Sequence, residues 1–188
     1  MNTMLDILGS TVIGLYFIYM ILTFNIKMNN SLNIAVENNI TVWDTIELGK
    51  LSDYDFNKIG YRTDSVFVFA KATDTELIFS ADLDNDGVVE TVHYVLGSES
   101  DALYTDNEDD KPLYRIINGT DTTTSLVKSF KFTYNDASGA EITTSLSTHT
   151  ARKEIKGITV NFTIVAAATV DTIYQEMDWQ KKFTPRNI

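Results

Sequence analysis

Cysteine is absent from the 188 residues, so neither a disulfide framework nor thiolate chemistry is open to this chain. Positive charge is missing in two places: no Lys or Arg precedes Lys27, and none stands between Lys71 and Lys111. The first gap argues against a secretory signal peptide, which carries a basic n-region and a small-residue cleavage site. Thr23-Phe24-Asn25 is a poor cleavage site as well. The same gap leaves no basic residue ahead of the apolar run to set a membrane orientation. Either a basic leader has been removed before Met1, or Met1 is the start codon. With 26 acidic residues against 15 basic ones and a net charge of −11, the chain lacks the basic footprint of a nucleic-acid binder. Its two histidines, His93 and His149, have no paired metal-ligand spacing and no nucleophile motif beside them. Enzyme activity is not expected.

What the chain does contain is one long apolar run. Leu5 to Phe24, LDILGSTVIGLYFIYMILTF, carries a single charge, the carboxylate of Asp6. A hydrocarbon core about 30 Å thick needs roughly 20 apolar residues as helix, so the run is long enough to cross a membrane. A carboxylate at that depth is costly and by default marks a site with a partner. The other reading of Asp6 is a carboxylate at the membrane–water interface, facing the N-terminus of its own helix. Gly9, Ser10 and Gly14 are small residues that permit close helix approach; only Ser10 and Gly14 have the small-xxx-small spacing.

The helical pattern outlasts the apolar run. Leu32, Val36, Ile40, Trp43 and Ile46 keep a three-to-four spacing, with no Pro or Gly between Lys27 and Leu48. A helix is expected from near Met1 to about Ile59, closing at Gly60, with a local break near Asn29 or Asn38, which are poor helix formers. From Ser65 the period becomes two. Strands are expected at Ser65–Lys71, Glu76–Leu83, Val88–Leu96, Leu113–Ile117, Ser129–Asn135, Glu141–Leu146 and Ile158–Ala166, with turns at Asn118-Gly119 and Asp136–Gly139. Gly97–Asp110 reads as an acidic exposed loop, and Thr120–Ser125 as a Thr-rich tract. The expected fold is α+β: an N-terminal helix over residues 1–60, of which 1–27 are the membrane or filament-core part and 28–60 amphipathic, then an antiparallel β-rich head over 61–188.

One stretch of the head has the spacing of a metal loop. Asp82-Leu-Asp84-Asn-Asp86-Gly87 places carboxylates at positions 1, 3 and 5 with Gly at 6, and Glu90 follows at 9. That is the first half of a Ca²⁺ loop, although position 12 is His93 rather than a bidentate Glu. The alternative is a plain hairpin turn at Asn85-Asp86-Gly87.

A long helix, apolar then amphipathic, followed by a β-rich head resembles the type IV pilin-like proteins. The likeness is carried by Leu51-Ser-Asp-Tyr-Asp-Phe-Asn-Lys-Ile-Gly-Tyr61, similar to the helix end of minor pilins and of the minor pseudopilins of type II secretion. Leu77-Ile-Phe-Ser-Ala-Asp-Leu-Asp-Asn-Asp-Gly87, Tyr94, Leu113-Tyr-Arg115, Phe132-Thr-Tyr134, Asp136 to Gly139 and Pro185-Arg186-Asn187 follow in the order of those heads. The start departs from the family pattern: there is no Gly-Phe junction, and Asp6 stands one place beyond the family's fifth-position glutamate. The resemblance implies a structural subunit of an extracellular filament, held first in the inner membrane and then polymerised with copies of itself by a pilus or secretion assembly machinery. It also implies that the Asp6 carboxylate pairs with the α-amine of a neighbouring Met1. A minor pseudopilin, and a membrane-anchored extracytoplasmic binding module that does not polymerise, are the alternatives. No cofactor is expected apart from the Ca²⁺ option.

Overall fold

A computed structural model of the chain describes residues 2–63, 67–102, 105, 107–166 and 175–188. It has one long N-terminal helix followed by an antiparallel β head, which is the α+β layout expected. Helix α1 (Asn2–Asn57) runs unbroken through Asn29 and Asn38. The expected break is absent because each Asn costs only a few tenths of a kcal/mol against the best helix formers, too little to interrupt a helix on its own.

The helix has two environments. No described residue outside the helix covers its first half, and large apolar residues from Met4 to Ile26 are all exposed. The second half presents Thr41, Thr45, Leu48, Ser52, Asp55 and Phe56 to the head and buries them. Those positions recur every three to four residues, so they form one stripe. Gly49 lies in this stripe because Trp179 is packed over it; a Cβ there would meet Trp179 Nε1 at 3.0 Å. α1 stops at Asn57, two residues before the expected Ile59. The chain then turns through Gly60 at φ +73° and Arg62 at φ +53°. Gly60 is required twice over, because a Cβ would also stand 2.5 Å from the Asn187 carbonyl oxygen.

Five strands form one antiparallel sheet in sequential order: β1 (Phe69–Ala72), β2 (Glu76–Ala81), β3 (Glu90–Leu96), β4 (Lys111–Ile117) and β5 (Asp121–Val127). Three more form a second: β6 (Ser129–Asn135), β7 (Gly157–Val165) and β8 (Glu176–Phe183). A 3-10 turn at Glu99–Asp101 and a short helix α2 (His149–Arg152) complete the described elements. The expected strand at Ser65–Lys71 is shorter and later, and Ser65 and Val66 lie outside the described residues. The segment Glu141–Leu146 is not a strand; it makes only a single bridge, Asn135 to Glu141. After that bridge the chain leads away to α2, and its one buried apolar anchor is Leu146. The Thr-rich tract proves to be β5, and Glu176–Phe183, for which no strand is expected, is β8.

The core collects the inward side of each strand. Leu77, Phe79 and Ala81 alternate on β2, Val92 and Tyr94 on β3, Phe130, Phe132 and Tyr134 on β6, and Ile158, Val160, Phe162 and Ile164 on β7. At its centre sits Phe56 of α1, with ring centroids 5.0 Å from Tyr94, 5.4 Å from Phe183, 5.8 Å from Phe132 and 6.0 Å from Phe79. One helical residue thus joins both sheets.

Beside Phe56, Asp55 carries a fully buried charge. Arg115 of β4 meets it with two bonds, Nε to Oδ2 at 2.5 Å and Nη2 to Oδ1 at 2.8 Å, and Tyr94 donates its hydroxyl at 2.6 Å. Burial alone would lower the Arg115 guanidinium, but the bonds to Asp55 outweigh it and the net shift is upward. The Tyr94 hydroxyl is pushed well above its ordinary range by burial and by the Asp55 charge. The buried Asp55 carboxyl thus has its hydrogen-bond partners in place, the condition under which a buried charged pair is tolerated.

Candidate functional site

Two features carry chemistry that the core does not absorb: the apolar half of α1, and the acidic loop between β2 and β3.

In the apolar half, four polar side chains bond back to the helix itself. Ser10 Oγ donates to the carbonyls of Asp6 and Ile7, Thr11 to Leu8, Thr23 to Tyr19 and Met20, and Asn25 Nδ2 to Ile21, all at 2.9–3.0 Å. Such back-bonding removes the cost of placing these groups where no water is present. The Asp6 carboxylate is exposed, and no described residue donates to it. Met1, the other half of the expected pair, lies outside the described residues. Gly9 and Gly14 have nothing within 4 Å of a Cβ, so any close approach they serve is to another molecule. The helix is long and apolar enough to cross a membrane, and it is a candidate membrane anchor.

The acidic loop is built onto the end of α1. Gly60 N–H donates to Ser80 O, and Asp82 N–H donates to Tyr61 O, both at 3.0 Å. These bonds stitch the turn after the helix to the end of β2. Tyr54 on α1 and Lys58, just past its end, both donate to the Leu83 carbonyl. Asn85 at φ +67° and Gly87 at φ +92° carry the chain round the loop; both residue types tolerate the left-handed region.

Inside this frame Asp82, Asp84 and Asp86 converge, each offering an oxygen within 4.8 Å of the others. Asp82 is fully buried, whereas Asp84 and Asp86 are exposed. Asp82 Oδ2 accepts from Arg62 Nη1 and from Gly87 N–H, both at 3.2 Å. Asp82 Oδ1 is buried with no hydrogen-bond partner among the described residues. Glu90, the fourth expected carboxylate, stands apart from the trio; its Oε2 accepts the Leu83 N–H at 2.7 Å and so holds the loop's backbone. His93 lies on β3 with Nε2 3.0 Å from Glu76 Oε1, away from the loop.

Sequence reasoning therefore picked out the three converging aspartates but missed Arg62 and Lys58, which reach the loop from the helix end. Nothing in local spacing signals them, because the contacts span 20 to 27 residues. Comparison of the chain with family models, with curated proteins and with solved structures found no match.

Proposed function

We propose that the chain is a structural subunit of an extracellular, type IV pilus-like filament, assembled through the apolar half of α1. The observation that carries this reading is the contrast between the two halves of one continuous helix. The second half is seated in the head by Leu48, Phe56 and a buried ion pair. The first leaves side chains such as Phe17 (58% exposed) and Ile18 (56%) uncovered by any described residue of the head. A contiguous apolar surface of this kind needs lipid or other apolar helices around it. A subunit stored in a membrane and then packed against copies of itself meets that need in both states. The order of motifs resembling minor pilins supports the same reading.

In the filament the Asp6 carboxylate pairs with the α-amine of a neighbouring copy. The pairing offsets the cost of burying either charge alone and favours one axial stagger over others. Asp6→Ala is expected to leave membrane insertion intact while reducing assembled filaments; a normal filament yield from that variant would refute the pairing. Cryo-EM of sheared surface material tests the function as a whole. Long filaments built of this chain support it, density confined to a filament tip points to a minor pseudopilin, and no filament at all points to an anchored binding module.

A further inference from the structure

We propose that the loop between β2 and β3 is a Ca²⁺ site whose ligands are carboxylate oxygens of Asp82, Asp84 and Asp86. The orphaned oxygen of Asp82, rather than the acidic cluster alone, marks the site. Asp82 is fully buried, its Oδ2 is taken by Arg62 and Gly87, and its Oδ1 has no partner among the described residues. A buried carboxylate oxygen without a donor is costly, because the group has given up water and received nothing in return. The groups that converge with this carboxylate are two further carboxylates, those of Asp84 and Asp86. Neither can donate a hydrogen bond while ionised, so what satisfies the trio is a cation.

The chemistry of the donor set selects the ion. All three side-chain donors are hard carboxylate oxygens, with no imidazole or thiolate among them, which suits Ca²⁺ and disfavours zinc or copper. Waters and loop carbonyls complete the 6–8 oxygens that Ca²⁺ takes. With two ligands exposed and one positive charge, Arg62, bound to Asp82, the site is expected in the weak range typical of extracellular modules, on the order of 10⁻⁴–10⁻³ M. Because Asp82 and Leu83 are bonded to the Tyr61 carbonyl, Tyr54 and Lys58, an ion here braces the joint between α1 and the head.

The test uses the full chain in detergent micelles. Thermal unfolding is followed with EDTA and with Ca²⁺ raised to a few millimolar, and Tb³⁺ luminescence is read through the tyrosines beside the loop, Tyr54 and Tyr61. The expected results are a Ca²⁺-dependent rise in Tm of about 3–6 °C and Tb³⁺ emission that Ca²⁺ displaces. Asp84→Asn with Asp86→Asn keeps the Oδ1 acceptors used by the Asp86 and Val88 N–H groups, so its Tm in EDTA should match the parent. Its Ca²⁺ affinity should fall about tenfold or more. A parent protein with the same Tm in EDTA and Ca²⁺ and no Tb³⁺ emission would overturn the proposal, as would parental Ca²⁺ affinity in the double variant.

Discussion

Asp55, Arg115 and Tyr94 show how much of the head rests on single side chains. Removing one member of a buried ion pair strands the other, so Asp55→Ala is expected to cost about 3–5 kcal/mol in urea unfolding. Phe56→Ala, which empties the meeting point of both sheets, should cost a similar amount, about 3–5 kcal/mol. Either loss is a large share of the stability of an ordinary domain. A milder, pH-dependent contribution comes from Glu76. Its carboxyl is held below the usual range by a bond to Lys71 at 2.5 Å, with His93 adding to the effect. Since the folded value lies below the unfolded one, this stabilisation is present at neutral pH and is lost as pH falls through the folded value. Glu76→Gln should therefore lower Tm at pH 7 and leave it unchanged at the acid end of the profile. The sequence sets Tyr94 and Arg115 on expected strands, yet nothing in it joins them to Asp55. That bond spans 60 residues, and side-chain periodicity reports only on near neighbours.

Among the elements, α1 was the most legible. Its apolar run and three-to-four spacing are local signals, and the real helix ends within two residues of the expected stop. The strands with clean alternation, such as β6, were equally plain. β5 was hidden because Asp121 to Thr124 are exposed and polar, so no alternation marks them as strand. Their placement comes instead from pairing with β4 and from the β-propensity of Thr. In β8 the alternation of Met177 and Trp179 gives way at Lys181, which turns outward to Asp53 of α1 at 2.7 Å. The acidic loop was half legible: the carboxylate spacing was visible, but the burial of Asp82 depends on the helix end folding over it. Two results are expected at this scale. Deleting residues 1–27 should leave the head's Tm within about 2 °C of the parent, since the buried stripe begins near Thr41. Gly49→Leu should lift α1 off β8, cost about 1–3 kcal/mol, and shift the Trp179 fluorescence toward that of an exposed indole.

Taken as a whole, the molecule is an amphiphile with its two characters set end to end. The head is acidic and folds around its own core, while the N-terminal rod is apolar on all sides. The full chain is expected to need detergent to stay dispersed, and the version lacking residues 1–27 to need none; sedimentation of both in plain buffer checks this. The contact between Lys181 and Asp53 bridges 128 residues, and the Asn187 carbonyl lies against Gly60. Phe183, near the other end of the sequence, packs on Phe56. The helix end thus waits for nearly all the remaining chain before its aromatic core can close. A chain delivered N-terminus first would place its anchor long before its head could fold. During that interval Asp55 and Phe56 stay uncovered, and the half-delivered protein is at its most vulnerable to proteases and to mispairing with its neighbours.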